Sequence, residues 1–208
     1  ASVAYGTETI PKCHKIIGPG NAYATAAKRV LSNYIDSGLP AGPSECIILA
    51  DENADPEKVA LDWMIEAEHG PDSAALLVTN CEELVYKAAE IVERQLEKIS
   101  DKRREFVTTN FNTYGGAIIT ESLEESIDFV NDYAPEHMEV MTKEPFVVLP
   151  KIKNAGEILL GDYTPVTLCN FVLGPNAILP TGQFAKTYSS VSVMDFLKRS
   201  SVGYASRD

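Results

Sequence analysis

Short apolar runs alternate with helix-spaced patterns along most of the chain, which is how a parallel sheet flanked by helices is written. Lys15-Ile16-Ile17 predicts a buried strand that runs through Gly18-Pro19-Gly20-Asn21 into an alanine-rich helix over 22–31. A second strand is expected over 46–50. Asp55 and Pro56 then supply an N-cap and a first-turn proline for a helix reaching about residue 69. The run 74–79 predicts the next strand, and 82–98, studded with Glu/Lys pairs at helical spacing, the next helix. A strand over 117–120 precedes a helix that opens at Ser122, with Glu125 at capping-box spacing, and ends near Tyr133. Short strands are expected over 147–149 and 157–160. The Pro-, Gly- and Thr-rich stretch after Gly161 predicts loop, up to a short helix over 193–198. The fold class is α/β: Rossmann-like open sheets with flanking helices, in two incomplete βαβ halves. The pattern opens on the tail of a helix and trails off at its other end, as if a βαβ unit were cut at each. Ligands are expected at the carboxyl ends of the strands.

Composition narrows the function classes. The chain has 208 residues, 45% of them hydrophobic, enough for a sizeable core. It carries 18 basic and 30 acidic residues, a formal net charge of −12, and its basic clusters (Lys102-Arg103-Arg104, Lys198-Arg199) are short. Nucleic acid and anionic membranes are therefore excluded as expected partners. No apolar run reaches the roughly 20 residues that span a bilayer, and no basic segment followed by an apolar one opens the chain, so a cytoplasmic location is expected. Cys13, Cys46, Cys81 and Cys169 lie too far apart for a CxxC zinc or redox motif and are expected as free thiols.

Candidate chemistry gathers around two of the three histidines. Glu136-His137 follows Pro135, so a carboxylate and an imidazole are held together in one rigid turn, a pairing suited to proton transfer. A surface turn with ordinary charges reads alike. Glu66 and His69 stand three apart on one helix face, where they can grip a divalent cation, although an isolated pair of this kind more often forms a solvated helix end. Gly18-Pro19-Gly20-Asn21 offers backbone amides at a strand-to-helix turn. Ala41-Gly42-Pro43-Ser44-Glu45 holds a hydroxyl and a carboxylate on a stiff backbone. Each of these two turns reads as structural as readily as functional.

Taken in order, Ala4-Tyr-Gly-Thr-Glu8, Lys15 to Tyr23, Ala41 to Glu45, Ala67-Glu-His69, Ala134-Pro-Glu-His137, Asn154-Ala-Gly156 and Leu179-Pro-Thr181 resemble histidinol dehydrogenases over nearly the whole chain. The resemblance implies an NAD-dependent homodimer with a substrate-holding zinc ion. Such an enzyme oxidises an amino alcohol through an unreleased aldehyde to an amino acid, with L-histidinol to L-histidine as the family reaction. It implies Glu136 and His137 as the acid/base pair and Asn21 as a cofactor contact. Ser44, Glu66, His69, His137 and Asn170 become substrate contacts, and Glu66, His69 and Asn170 metal ligands. Residues 1–45 become part of a first Rossmann-like domain, 46–186 part of a second, and 187–208 the start of a carboxyl-terminal arm.

Three positions depart from the family pattern. Glu66 stands for Gln, Asn170 for Asp, and Ala177 for a substrate-side His. The anionic ligand thus moves from one position to the other, so zinc is expected with an altered and weakened set. A further ligand, the histidine of the arm, falls beyond Asp208. Loss of the imidazole at 177 implies a small hydroxylated substrate other than histidinol. The rival reading is a paralogue that is non-catalytic or differently specific and binds a small metabolite without zinc.

Overall fold

In the computed structural model, which describes residues 1–207, two helices, Ser2–Tyr5 (α1) and Ala22–Val30 (α2), precede a parallel sheet. The sheet region runs Glu45–Ala50 (β1), Pro56–Ala67 (α3), Ala74–Thr79 (β2), Glu82–Leu96 (α4), Asp101–Phe111 (α5) and Gly116–Ile119 (β3). It continues through Leu123–Tyr133 (α6), His137–Met141 (β4), Pro145–Val148 (α7) and Glu157–Leu160 (β5), followed by the single turn Val166–Leu168 (α8). All strand pairs are parallel, in the order β3-β2-β1-β4-β5.

The strands are nearly continuous apolar runs because both faces of a parallel sheet must be covered. Ile48, Ala50 and Leu77 pack on one face under Val59, Ala60 and Trp63 of α3, Ala88 of α4 and Val107 of α5. Ile47, Leu49, Val78 and Val140 pack on the other under Ile127 and Val130 of α6 and Val148 of α7. α3 links two neighbouring parallel strands, so it runs antiparallel to them and brings its C-terminal turn back to the amino edge of the sheet.

The open parallel α/β architecture is the expected one, and several elements differ in detail. Lys15 forms only an isolated bridge to Asp36, closed by an ion pair, where a strand was expected. α5 is an extra helix, capped by Ser100, whose side chain accepts from the Arg103 N–H. Its Arg103-Arg104 pair read as charge pattern, with too few apolar positions to signal packing. The run 147–149 is helical, because Pro145 starts a helix and Pro150, which follows Leu149, has no N–H to donate to a ladder. Residues 169–173 form a π-helical turn within the expected loop. Among the described residues no helix is long and apolar enough to cross a membrane.

Candidate functional site

Glu136 and His137, with Glu66 and Ser44 near them, lie at the amino edge of the sheet, not the carboxyl edge. α6 ends at Tyr133, Ala134 turns in the left-handed region (φ 55°), and Pro135 leads straight into β4. His137 is therefore the first residue of a buried central strand rather than part of a surface turn. Its register neighbours are Cys46 on β1 and Glu157 on β5, so these side chains form a row across the sheet. The turn is pinned from the β5 side, where the N–H groups of Gly156 and Glu157 donate to the carbonyls of Pro135 and Glu136, both at 2.9 Å.

The imidazole is held between two carboxylates. His137 Nδ1 lies 2.8 Å from Glu157 Oε2, which makes it the donor to that carboxylate, and Nε2 is 3.9 Å from Glu136 Oε1. Glu136 is fixed in turn by the Glu45 N–H, which donates to its Oε2 at 3.0 Å. The Cys169 thiol donates to Glu157 Oε1 at 2.7 Å. Glu136 and His137 retain only 8% and 4% exposure, so every charge here is felt in a poorly solvated setting.

That setting separates the protonation states. Burial pushes the Glu136 carboxyl up to about 8, although His137 and the Glu45 N–H favour its anion. Burial alone would lower His137, but the bond to Glu157 and the charges of Glu136 and Glu66 outweigh it and raise the imidazole above its usual value. Glu157 goes the other way: burial opposes its charge, while His137 and Cys169 hold it below the usual carboxylate range. Burial and Glu157 together push the Cys169 thiol up to about 12. Beneath the pair, Glu139 of β4 and Asp62 of α3 face each other in the core, and burial raises both.

The remaining expected residues divide. Glu66 is 2% exposed on α3, near enough to act on Glu136 and His137 electrostatically, and its Oε2 has no hydrogen-bond partner among the described residues. Asn170 follows Cys169 on the π turn, with a buried Oδ1 likewise unpartnered among the described residues. Ser44 is half-buried, one residue before β1, beside the N–H that holds Glu136. His69 is exposed at the end of α3, with Nδ1 at 2.8 Å from the Ile65 carbonyl and 3.7 Å from Glu66. Asn21 is exposed and stands apart, its side chain accepting from Ala24 N–H as the N-cap of α2. Ala177 is exposed.

These donors do not make a closed zinc site. Among the described residues no group of three His, Cys, Asp or Glu side chains is gathered to hold a metal ion, and the Glu66–His69 pair stands alone. Glu157 and Cys169 lie beside Glu136 and His137 without having been expected there, and Glu45, whose carboxylate the 41–45 turn offered, reaches Glu136 through its backbone N–H. The signal for Glu157 was a carboxylate heading the apolar run 157–160, an odd residue to start a buried strand.

The match to known proteins decides the kinship. The family model described as Histidinol dehydrogenase matches residues 1–208. The chain belongs to the histidinol dehydrogenase family. It is 54% identical to the histidinol dehydrogenase of Synechocystis sp., covering 100% of this chain and 48% of that protein. A histidinol dehydrogenase homolog of Colwellia psychrerythraea is 50% identical over 100% of this chain and 47% of its own length. The crystal structure of histidinol dehydrogenase from Elizabethkingia anophelis superposes with a TM-score of 0.90 at 38% identity, over 95% of this chain and 45% of that one. The chain thus spans about half the length of the histidinol dehydrogenases it matches.

Proposed function

We propose that this chain carries the acid/base and substrate side of an NAD-dependent dehydrogenase of the histidinol dehydrogenase type. It would oxidise a small amino alcohol, or a related hydroxylated compound, through an aldehyde to an acid. In the family at large that reaction belongs to histidine biosynthesis. The observation that carries the reading is the buried His137 ring, held at Nδ1 by Glu157 with Glu136 beside Nε2.

The roles follow from that geometry. The substrate O–H bond breaks toward His137 Nε2 while the carbinol C–H electron pair leaves as hydride, for which a bound nicotinamide supplies the acceptor. In the second oxidation Glu136, as its anion, takes a proton from the water that attacks the aldehyde, and the C–H electron pair of the resulting hydrate leaves as hydride, for which a second oxidised nicotinamide would supply the acceptor. Glu66 Oε2 and Asn170 Oδ1, buried acceptors without hydrogen-bond partners among the described residues, suit the hydroxyl or ammonium hydrogens of such a substrate, with Ser44 and His69 at its margin. Asn21 has its oxygen engaged in capping α2, which leaves its amide nitrogen for a cofactor contact. Gly18, at φ +142° with nothing within 4 Å of a Cβ position, leaves open backbone there for a cofactor to lie against. No step is assigned to zinc.

The reading extends to a cytoplasmic homodimer. Val193, Met194, Phe196 and Leu197 stay exposed in the segment where the family's arm meets a partner subunit. A scaffold that merely bound a metabolite has less support, since it has no use for a buried proton acceptor flanked by carboxylates. The test is NADH formation by the complete gene product with L-histidinol, other amino alcohols and diols. Turnover on at least one of them, lost by about 100-fold or more in His137→Ala, is expected. No turnover on any, with the variant indistinguishable from wild type, ends the proposal.

A further inference from the structure

One buried, charged contact beside the acid/base pair has no role in the scheme above. Glu157 opens β5 directly alongside His137, and its two oxygens are both engaged: Oε2 takes the ring Nδ1–H at 2.8 Å and Oε1 takes the Cys169 thiol at 2.7 Å. The Glu157 side chain is only 4% exposed and that of His137 5%. A carboxylate is seldom this deeply buried unless paired. Here it has two donors reaching it from different elements, β4 and the π turn, and its own backbone N–H is fixed on the Glu136 carbonyl. Its position is therefore set from three sides. An imidazole whose Nδ1 donates to a fixed carboxylate has one tautomer when neutral, with the lone pair on Nε2. That lone pair is on the side of Glu136.

We propose that Glu157 is the positioning residue of this site: it orients the His137 ring, selects the tautomer that leaves Nε2 to take the hydroxyl proton, and stabilises the imidazolium that results. Cys169, by donating to the second oxygen, holds Glu157 in place. The inference rests on the reading of His137 as proton acceptor. It adds a residue 20 positions along the chain and a thiol that the acid/base motif does not contain. The arrangement is the logic of a base oriented by a buried carboxylate, reached here through strand register. The charged groups facing the ring are Glu136 on its own strand's approach, Glu157 on β5 and Glu66 on α3.

The test uses the complete gene product. Glu157→Gln keeps the size and a carbonyl that still accepts from Nδ1–H, but removes the charge. Expected are a fall in kcat of about tenfold or more with KM nearly unchanged, and a shift of the His137 limb of kcat/KM toward lower pH. Glu157→Asp, which restores the charge, should recover part of the loss. A Gln variant with kcat and that limb both like wild type overturns the proposal. Should the Gln variant fail to fold, 15N shifts of the His137 ring in wild-type protein decide instead. Above the ring's pKa, an Nδ1–H tautomer supports the proposal and an Nε2–H tautomer overturns it. Full activity in His137→Ala would sink the underlying reading as well, whereas an inactive His137→Ala beside an unaffected Glu157→Gln sinks this inference alone.

Discussion

At the scale of single residues, neighbouring groups of the candidate site have opposite protonation preferences. Glu136 is pushed up to about 8 by burial, while Glu157 is held below the usual carboxylate range by its donors, although both flank the same imidazole. Glu136 can accept a proton only after ionising, so activity in the second oxidation should climb as pH rises through about 8. In Glu136→Gln that ascending limb should vanish from a pH-rate profile taken with the aldehyde as substrate. A limb that survives would mean another group titrates there. The Glu136-His137 pair stood out in the sequence as a candidate because its two titratable groups are adjacent. The partnership of Glu157 with His137 was not legible, because nothing local ties a carboxylate to a histidine in another strand.

At the scale of elements, the position of the pair depends on a close approach between two turns. Gly156 sits against the Glu136 carbonyl so tightly that a Cβ would lie 2.6 Å from that oxygen and 3.1 Å from the Pro180 ring. Gly156→Ala should therefore displace Glu136 and cost about 1–3 kcal/mol of stability, as overpacked sites do. Its kcat should fall further than its melting temperature suggests. A variant with unchanged unfolding midpoint and unchanged kcat would show that the turn has more room. α3 is the second element on which the site depends. Its N-cap Asp55 accepts from Glu57 N–H, and Asp55→Ala should cost about 1 kcal/mol in a denaturant titration. The start of α3 was readable from Asp55-Pro56, whereas the extra helix α5 was not, since its polar composition gives no periodic signal.

Across the whole molecule, the row of buried ionisable groups makes stability depend on pH. Asp62, Glu136, Glu139 and His137 all hold protons more tightly folded than unfolded. The native chain thus binds more protons than the unfolded one, and their contribution is lost as pH rises through the folded values. Glu157 acts in reverse: its contribution is present at neutral pH and is lost on acidification below the usual carboxylate range. Calorimetry should find the thermal midpoint highest in the mildly acidic range and declining toward about pH 9, through the Glu136 value of about 8. Glu139→Gln should flatten that decline. A midpoint that instead rises with pH would contradict the burial assigned to these carboxyls.

What the sequence determined by itself was the layer plan and the kinship. Alternating apolar runs and helix-spaced segments demand a two-sided sheet, and the order of short motifs points to one family. Those signals are local or colinear, so a single chain displays them. What only the tertiary structure decided was that His137 begins a buried strand, that the candidate pair lies at the amino edge where α3 returns, and that Glu157 bonds to both His137 and Cys169 there. Strand register and burial are set by contacts between distant segments, and a side chain's protonation follows from the burial and partners that those contacts create.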